Sequence, residues 1–289
     1  MDIEFYITKN HKGVFMKKIT MVLLALSVLL FSCSKEEKKE AEMNASMPTY
    51  KDGVYFAQED EFSGSGWKYN VTLEVKDGKI TKAIWNGAHK NGGSDKVSRS
   101  ESGEYGMVAK GGAMAPWFEQ AAAAEAYLLE TQDPAAVNYI DDEGHTDSFS
   151  GASIHVIEFF TLADKALAAG PVGYGPFKDG AYHAEQPAFD RGYKYFVDVT
   201  VISGYIVAVN WDALAEDGGT TKAQKSEDGE YGMVANGGAK APWFEQAMTI
   251  EENLLATQDT KMPDAVSGAS IGLDPFYELV NEALANAAK

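Results

Sequence analysis

The chain has little cysteine and little histidine: one cysteine and five histidines occur among 289 residues. A single thiol cannot form an internal disulfide. Scattered histidines without a second cysteine do not make a zinc ligand set, so no metal site is expected. The sequence also lacks a Walker-type phosphate loop and a G-x-S-x-G nucleophile elbow. These absences argue against structural zinc, P-loop nucleotide hydrolysis and α/β-hydrolase chemistry.

Positive charge is scarce as well. The chain has only 25 Lys and Arg residues but 43 Asp and Glu residues, which gives a net charge of −18. A protein this acidic repels phosphate backbones and anionic lipid headgroups. We therefore expect no nucleic-acid partner. The simplest explanation for most of the excess negative charge is solubility.

Residues 16–33, MKKITMVLLALSVLLFSC, have the organisation of a secretory signal. A basic start precedes an apolar run that is too short to span a membrane comfortably. The ending LFSC resembles a bacterial lipobox, which implies that Cys33 is lipidated and becomes the mature N-terminus. The alternative is a buried or free cysteine. We interpret residues 1–32 as a leader whose true start is Met16. Residues 33–49, the cysteine and a polar, charged stretch, are interpreted as a flexible tether.

Two long segments of the remaining chain are nearly identical. GEYGMVAKGGAMAPWFEQ at residues 103–120 returns as GEYGMVANGGAKAPWFEQ at residues 229–246, a displacement of 126 residues. YKDGVY at 50–55 also parallels FKDGAY at 177–182. The period is domain-sized, so this is a tandem duplication and not a solenoid. The predicted domains are residues 50–170 and 171–289, with a junction rich in Gly and Pro.

Each copy shows strand patterns followed by helix patterns. YNVTLEV at residues 69–75 alternates apolar and polar residues, which predicts a strand with one buried face. Asp77-Gly78 and Ser203-Gly204 are candidate hairpin turns. Helical spacing then relates Trp117, Ala121, Ala124 and Leu128, as it does Trp243, Ala247, Ile250 and Leu254. A last helical stripe in the first copy runs through Val156, Phe160, Ala163 and Leu167. The sequence therefore predicts two α+β domains, in which the Trp pairs are core anchors or ligand platforms.

A short serine motif occurs once in each copy: DSFSGAS at residues 147–153 and DAVSGAS at residues 264–270. A catalytic serine needs a histidine base, but His155 and His183 have no counterparts in the other copy. Duplicated catalysis is therefore not expected. Ser or Asp before an apolar helical run is also ordinary N-capping chemistry. From the residues alone, both a capping role and a functional role stay open.

The duplicated D-x-x-S-G-A-S motif, downstream of KDGxY, a hairpin and a helix, resembles that of FMN-binding domains. The resemblance extends over nearly all of residues 50–289. In that family a flavin transferase uses FAD and Mg²⁺ to esterify the last hydroxyl of the motif to the phosphate of FMN. The family includes membrane lipoproteins with one or two such domains that carry electrons outside the cytoplasm. The family usually has Thr at the last motif position, where this chain has Ser.

The resemblance implies one attachment residue in each copy, Ser153 and Ser270. It implies that each remaining motif forms a recognition turn; these residues are Asp147, Ser150, Gly151 and Ala152, and Asp264, Ser267, Gly268 and Ala269. Gly and Ala let a phosphate approach the backbone, and a helix N-terminus favours the phosphoester. Asp274-Pro275 predicts that the second helix begins after Ser270, so this favourable dipole is expected mainly at Ser153. Tyr105, Trp117, Tyr231 and Trp243 are candidates for residues near the flavin rings.

The resemblance thus implies an electron carrier, not an enzyme, with two covalent FMN groups on a membrane-anchored extracytoplasmic chain. Its expected partners are a flavin transferase for maturation, the membrane through the lipid, and a membrane electron donor such as a quinol or NADH dehydrogenase. Two alternatives stay open. One is a cofactor-free surface lipoprotein with a binding or adhesive role, and the other is a reductase subunit.

Overall fold

The computed structural model describes residues 48–289, and residues 49–289 form one compact unit. The predicted leader, Met16 start, lipidated Cys33 and tether (up to residue 47) lie outside the described residues. The fold repeats one order of elements. The first copy contains β1 (Gly53–Gln58), β2 (Trp67–Lys76), β3 (Lys79–His89), α1 (Lys96–Glu101), α2 (Trp117–Thr131), a 3₁₀ turn (Pro134–Ala136) and α3 (Ile157–Ala169). The second contains β4 (Gly180–Glu185), β5 (Tyr193–Ile202), β6 (Tyr205–Ala215), α4 (Lys222–Glu227), α5 (Trp243–Thr257) and α6 (Asp274–Ala283).

The strands form two antiparallel three-stranded sheets, in the orders β1-β2-β3 and β4-β5-β6. Both predicted hairpins are confirmed. Their turns have positive φ at both central residues, 53° and 75° at Asp77-Gly78 and 54° and 82° at Ser203-Gly204. This geometry matches the twist of the flanking strands. The sequence patterns did not indicate β1 or β4, which follow the two KDG segments. The expectation of helices mixed with antiparallel sheet is confirmed.

One face of each sheet packs against the helices of its own copy. In the first copy, Trp85 and Leu73 on the sheet meet Trp117, Leu128 and Phe159 in a core that excludes water. The second copy repeats this core. The predicted helix stripes are therefore confirmed. The Trp pairs are core residues, since each of the four tryptophans is at most 2% exposed. Gly170, with φ of 91°, ends α3.

The other face of the sheets is also buried, which corrects the expectation that YNVTLEV has a single buried side. Asn70 and Thr72 on that face are each 1% exposed. They are buried because the second sheet lies against them. The hydroxyls of Thr72 and Ser203 are 2.5 Å apart, and Phe56 stacks on Tyr205 with ring centroids 4.8 Å apart. A small apolar cluster joins the two copies; it consists of Ala88, Ile202, Val207 and Ala208. The domain boundary at residues 170 and 171 stays a prediction.

In the second copy, the segment before β4 packs against the β5–β6 turn through two glycines in close contact. A Cβ added to Gly204 would overlap the carbonyl group of Gly175, and Gly204 also has positive φ. We expect Gly204→Ala to lower the free energy of unfolding by about 3 kcal/mol, since strain and overlap add. Gly218→Ala is the matched control, because Gly218 has φ of +73° and open space around it. It should cost about 1 kcal/mol by strain alone. Equal losses in urea melts would contradict this account of the contact between Gly175 and Gly204.

Within residues 48–289, no helix combines the length and the apolar character that a membrane crossing requires.

Candidate functional site

Each motif serine is held by one glutamine from the first turn of the long helix of its copy. The backbone N–H of Ser153 donates to Gln120 Oε1 at 2.7 Å, and its Oγ donates to the same oxygen at 3.1 Å. Ser270 has the same two bonds to Gln246 Oε1, at 2.7 and 3.0 Å. Both serines are exposed. Because each serine hydroxyl donates its hydrogen to glutamine, the lone pairs of the serine Oγ remain free for a reaction partner.

The glutamines are themselves fixed. Gln120 and Gln246 are 1% and 2% exposed, and their Nε2 atoms donate to the carbonyls of Ala115 (2.9 Å) and Ala241 (2.8 Å). These bonds determine which end of each side-chain amide faces the serine. Sequence reasoning missed both glutamines. The only sequence feature that could have indicated them is the repeated segment PWFEQ, whose last residue is Gln120 in one copy and Gln246 in the other.

The rest of each motif forms a compact turn. Gly151 and Gly268 have φ of 98° and 93°, and an added Cβ would lie 3.2 Å from Ala123 Cβ or 3.3 Å from Thr249 Cγ2. Ala152 and Ala269 pack against their respective cores. The remaining predicted recognition residues are exposed, and their side chains make no hydrogen bond to the described part of the chain; they are Asp147, Ser150, Asp264 and Ser267.

The helix after each motif begins later than its serine. Helix α3 begins at Ile157 and α6 at Asp274, in both cases four residues beyond the serine, and neither has a side-chain cap. The capping interpretation of the serines is therefore wrong, because their hydroxyls donate to glutamine instead. The prediction that the second helix begins after Ser270 is confirmed. The expected stronger helix dipole at Ser153 is wrong, since α3 also begins four residues after its serine.

Beside each serine turn lies a buried lysine surrounded by aromatic rings. The Nζ of Lys96 donates to the Tyr69 hydroxyl at 2.9 Å, and the Nζ of Lys222 donates to the Tyr195 hydroxyl. Both lysines are buried: Lys96 is 1% exposed and Lys222 is 5% exposed. Four ring centroids lie 4.5–5.2 Å from Lys96 Nζ; they belong to Trp67, Tyr69, Tyr105 and Trp117. Four lie 4.7–5.1 Å from Lys222 Nζ, those of Tyr193, Tyr195, Tyr231 and Trp243.

Burial makes the charge of both lysines costly. It lowers the pKa of Lys96 from 10.5 to about 7 and that of Lys222 to about 8. Burial also raises the pKa of Tyr195 to about 12, and it raises that of Tyr69. A cation on aromatic faces is partly stabilised by the rings. Such a site favours a ligand that brings negative charge or an electron-rich ring. Sequence reasoning missed both lysines.

A cavity of about 250 Å³ connects this lysine with the serine turn in the second copy. Its walls include Lys222, Tyr231 and Trp243, and the residues that follow Ser270; these are Ile271, Gly272 and Pro275. Trp211 also lines it, and the indole N–H of Trp211 is buried without an acceptor, as is that of Trp85 in the first copy. A buried donor without a partner is costly. An acceptor on a ligand would satisfy it.

A larger depression of about 420 Å³ lies near Tyr193, but exposed residues such as Glu216 and Asp217 form much of its wall. It includes neither a motif serine nor the buried lysine. We therefore place the candidate site in the smaller cavity. Among the residues that the structure describes, no cluster of three or more His, Cys, Asp or Glu side chains could hold a metal ion.

Comparisons with known proteins give distant similarity. No protein-family model matches the chain. The "15 kDa lipoprotein" of Treponema pallidum is 26% identical over 125 residues, which cover 43% of this chain and 86% of that protein. The chain is thus similar to a bacterial lipoprotein over about the length of one repeat.

Two solved structures of clostridial proteins are also similar. A solution NMR structure from Clostridium thermocellum is 55% identical and covers 41% of this chain and 91% of that chain, with a TM-score of 0.34. A crystal structure from Clostridium perfringens is 25% identical and covers 42% and 88%, with a TM-score of 0.33. Both TM-scores are too low to support a shared fold.

Proposed function

We propose that the protein is a lipid-anchored extracytoplasmic electron carrier in which phosphoester bonds link one FMN to Ser153 and one to Ser270. The observation that carries the proposal is the repeated placement of an exposed serine hydroxyl beside a buried lysine and aromatic rings. The name of the Treponema relative supports the anchor at Cys33. The motif's resemblance to FMN-binding domains supports the choice of cofactor.

The residues present fit FMN. A flavin has a flat aromatic ring, ring oxygens and nitrogens that accept hydrogen bonds, and a phosphate at the end of a flexible chain. The cavity supplies ring faces and the cation of Lys222, and the buried indole N–H of Trp211, one of its lining residues, lacks an acceptor. At about 250 Å³, it is smaller than the roughly 300 Å³ at which pockets enclose drug-sized ligands. It therefore accommodates one edge of the ring system, while the phosphate stays at the exposed serine.

Each group of residues has a separate role. Gln120 and Gln246 hold the serine hydroxyls for attachment, in which Oγ loses its proton and bonds to the FMN phosphorus of FAD as AMP leaves. Lys96 and Lys222 favour the more negative form of a bound ligand, and the aromatic walls exclude water. FMN, when bound, supplies one- and two-electron transfer. Electrons would come from a membrane donor such as a quinol or NADH dehydrogenase, and external acceptors would take them up.

Intact mass tests the proposal. Protein matured together with a flavin transferase should gain the mass of two FMN groups minus two waters and should fluoresce on a denaturing gel. Ser153→Ala and Ser270→Ala should each remove one group, and the double variant should carry none. Ser63→Ala and Ser65→Ala are the controls, since both serines are exposed and lie outside the two motifs, and these variants should retain both groups. Unmodified wild-type protein would instead favour a cofactor-free surface lipoprotein.

A further inference from the structure

One loop is almost the same in both copies. It spans residues 103–115, between α1 and α2, and residues 229–241, between α4 and α5. The two loops differ at only two positions, at residues 110 and 114 in the first copy and 236 and 240 in the second. Strands β2 and β5, which contribute to the cores, share only four of their ten residues. The likeness of the loops therefore needs a cause of its own.

The backbone of the loop explains its glycines. Gly106 and Gly232 have φ of 69° and 68°, a conformation that side chains disfavour. A Cβ added to Gly111 or Gly237 would lie 2.6 Å from a carbonyl oxygen of the same loop. Both copies therefore require glycine at these positions in order to keep the same loop shape.

The backbone does not explain the apolar segment Met-Val-Ala, at residues 107–109 and 233–235, which we call the MVA segments. Val108 and Val234 are 47% and 46% exposed, and the alanine after each is also exposed. Exposed side chains away from special features contribute little to stability, so folding does not require the same three residues twice. A contact that both copies make with the same kind of ligand does account for them.

In the second copy, the loop forms one wall of the cavity beside Ser270. Tyr231 and Met233 both line this cavity, and the Tyr231 ring centroid lies 4.7 Å from Lys222 Nζ. Met233 is half-buried, whereas Val234, the next residue, is exposed. The MVA segment therefore runs from the cavity wall to the protein surface.

The loop of the first copy makes the equivalent contacts. The Tyr105 ring centroid lies 4.5 Å from Lys96 Nζ. Met107 packs against the core, and its Sδ lies 4.0 Å from Nε2 of Gln120, the residue whose side chain also holds Ser153. The MVA segment thus adjoins both the lysine site and the serine clamp.

The size of the cavity leaves a part of the ligand for this surface to contact. The cavity has about 250 Å³, less than the roughly 300 Å³ at which pockets enclose drug-sized ligands. The remainder of a flat aromatic ring system must then lie against the protein at the cavity mouth. A methionine thioether and a valine suit that position, because sulfur contacts aromatic rings favourably and neither side chain carries a charge.

We infer that the MVA segments hold the part of each flavin ring system that projects from its site, with Met107 and Val108 in contact with the group at Ser153 and Met233 and Val234 in contact with the group at Ser270. This rests on the proposed function. The contact makes and breaks no bond. It shields one side of the ring from water and keeps charge away from it, so the residue at the valine position sets how readily the ring accepts electrons.

Val234→Asp in Ser153→Ala protein, which carries only the second group, tests the inference. A carboxylate beside the ring opposes the addition of electrons. At one applied potential and pH 7, we expect the ratio of reduced to oxidised flavin to fall about three- to tenfold; a tenfold change corresponds to about 30 mV for a two-electron couple. Val108→Asp should have the same effect in Ser270→Ala protein.

Val172→Asp is the matched control. Val172 is 55% exposed and lies between α3 and β4, outside both loops, so the same added charge should leave the ratio unchanged. A second measurement needs no charge: Val234→Ala should increase the quenching constant of the flavin fluorescence by acrylamide about twofold, whereas Val172→Ala should not.

The outcomes separate this inference from the proposed function. If Val234→Asp and Val172→Asp change the ratio equally, or neither changes it, the MVA segment does not contact the ring, and the proposed function stands. Unchanged acrylamide quenching in Val234→Ala protein would also overturn the inference. If mass shows no flavin on wild-type protein matured with the transferase, the function and the inference both fail.

Discussion

Gln246→Leu protein should emerge from maturation with FMN on Ser153 and almost none on Ser270. The substitution removes the acceptor that both the N–H and the hydroxyl of Ser270 use. The serine turn then loses its fixed position, and a hydroxyl that is misplaced by about 1 Å reacts on the order of a hundredfold more slowly. Time-resolved intact mass should show the loss at one site. Gln120→Leu should produce the reverse pattern.

A second glutamine provides the control for stability. Gln258 bonds both the N–H and the carbonyl of Ile206 through its side chain, at 2.8 and 2.9 Å. Gln258→Leu therefore removes a comparable pair of hydrogen bonds without altering the serine turn. It should lower the melting temperature and leave both attachment rates near those of the wild type. If Gln258→Leu and Gln246→Leu slow attachment equally, Gln246 supports the fold and does not position the serine.

The sequence predicts those parts of the fold that local patterns encode. The 126-residue displacement revealed the duplication, and alternation together with Asp77-Gly78 indicated the first hairpin. Helical spacing from Trp117 to Leu128 identified a buried stripe that the structure confirms. These features depend on residues a few positions apart, where geometry is nearly fixed by the backbone period. The serine motif was also visible, because its two copies could be aligned.

The elements of the site that join distant segments could not be predicted. Gln120 reaches Ser153 across 33 residues, and glutamine in a helix is ordinarily a solvent-facing residue. Lys96 is hidden for a different reason: buried lysines are rare, so a charged residue in the short KVSRSE helix is expected at the surface. The burial of Thr72 was missed because the strand pattern shows one apolar face, and only the second sheet covers the other.

Lys222→Met should make the flavin-free protein more stable at neutral pH. Burial lowers the pKa of Lys222 to about 8, compared with 10.5 without burial, so the unfolded chain binds the proton more tightly than the folded one. Each pKa unit costs about 1.4 kcal/mol, giving roughly 3 kcal/mol below pH 8. The substitution also removes the hydrogen bond that Lys222 donates to the Tyr195 hydroxyl. This loss cancels about 1 kcal/mol of the gain in stability. We expect a net gain of about 2 kcal/mol in urea melts at pH 7.

The pH dependence separates this cause from simple repacking. Stability of the wild type should rise with pH between 8 and 10.5 as the folded lysine loses its proton, so the advantage of methionine should shrink over that range. Lys225→Met is the control on the same helix. It lies 3.5 Å from Asp217 near the surface and should change stability by less than about 1 kcal/mol. An advantage of Lys222→Met that is constant from pH 7 to 10.5 would contradict a charged Lys222. If the advantage fades as expected, the second copy retains a cation at Lys222 that weakens the fold, which is the result anticipated for a residue that acts on a bound ligand.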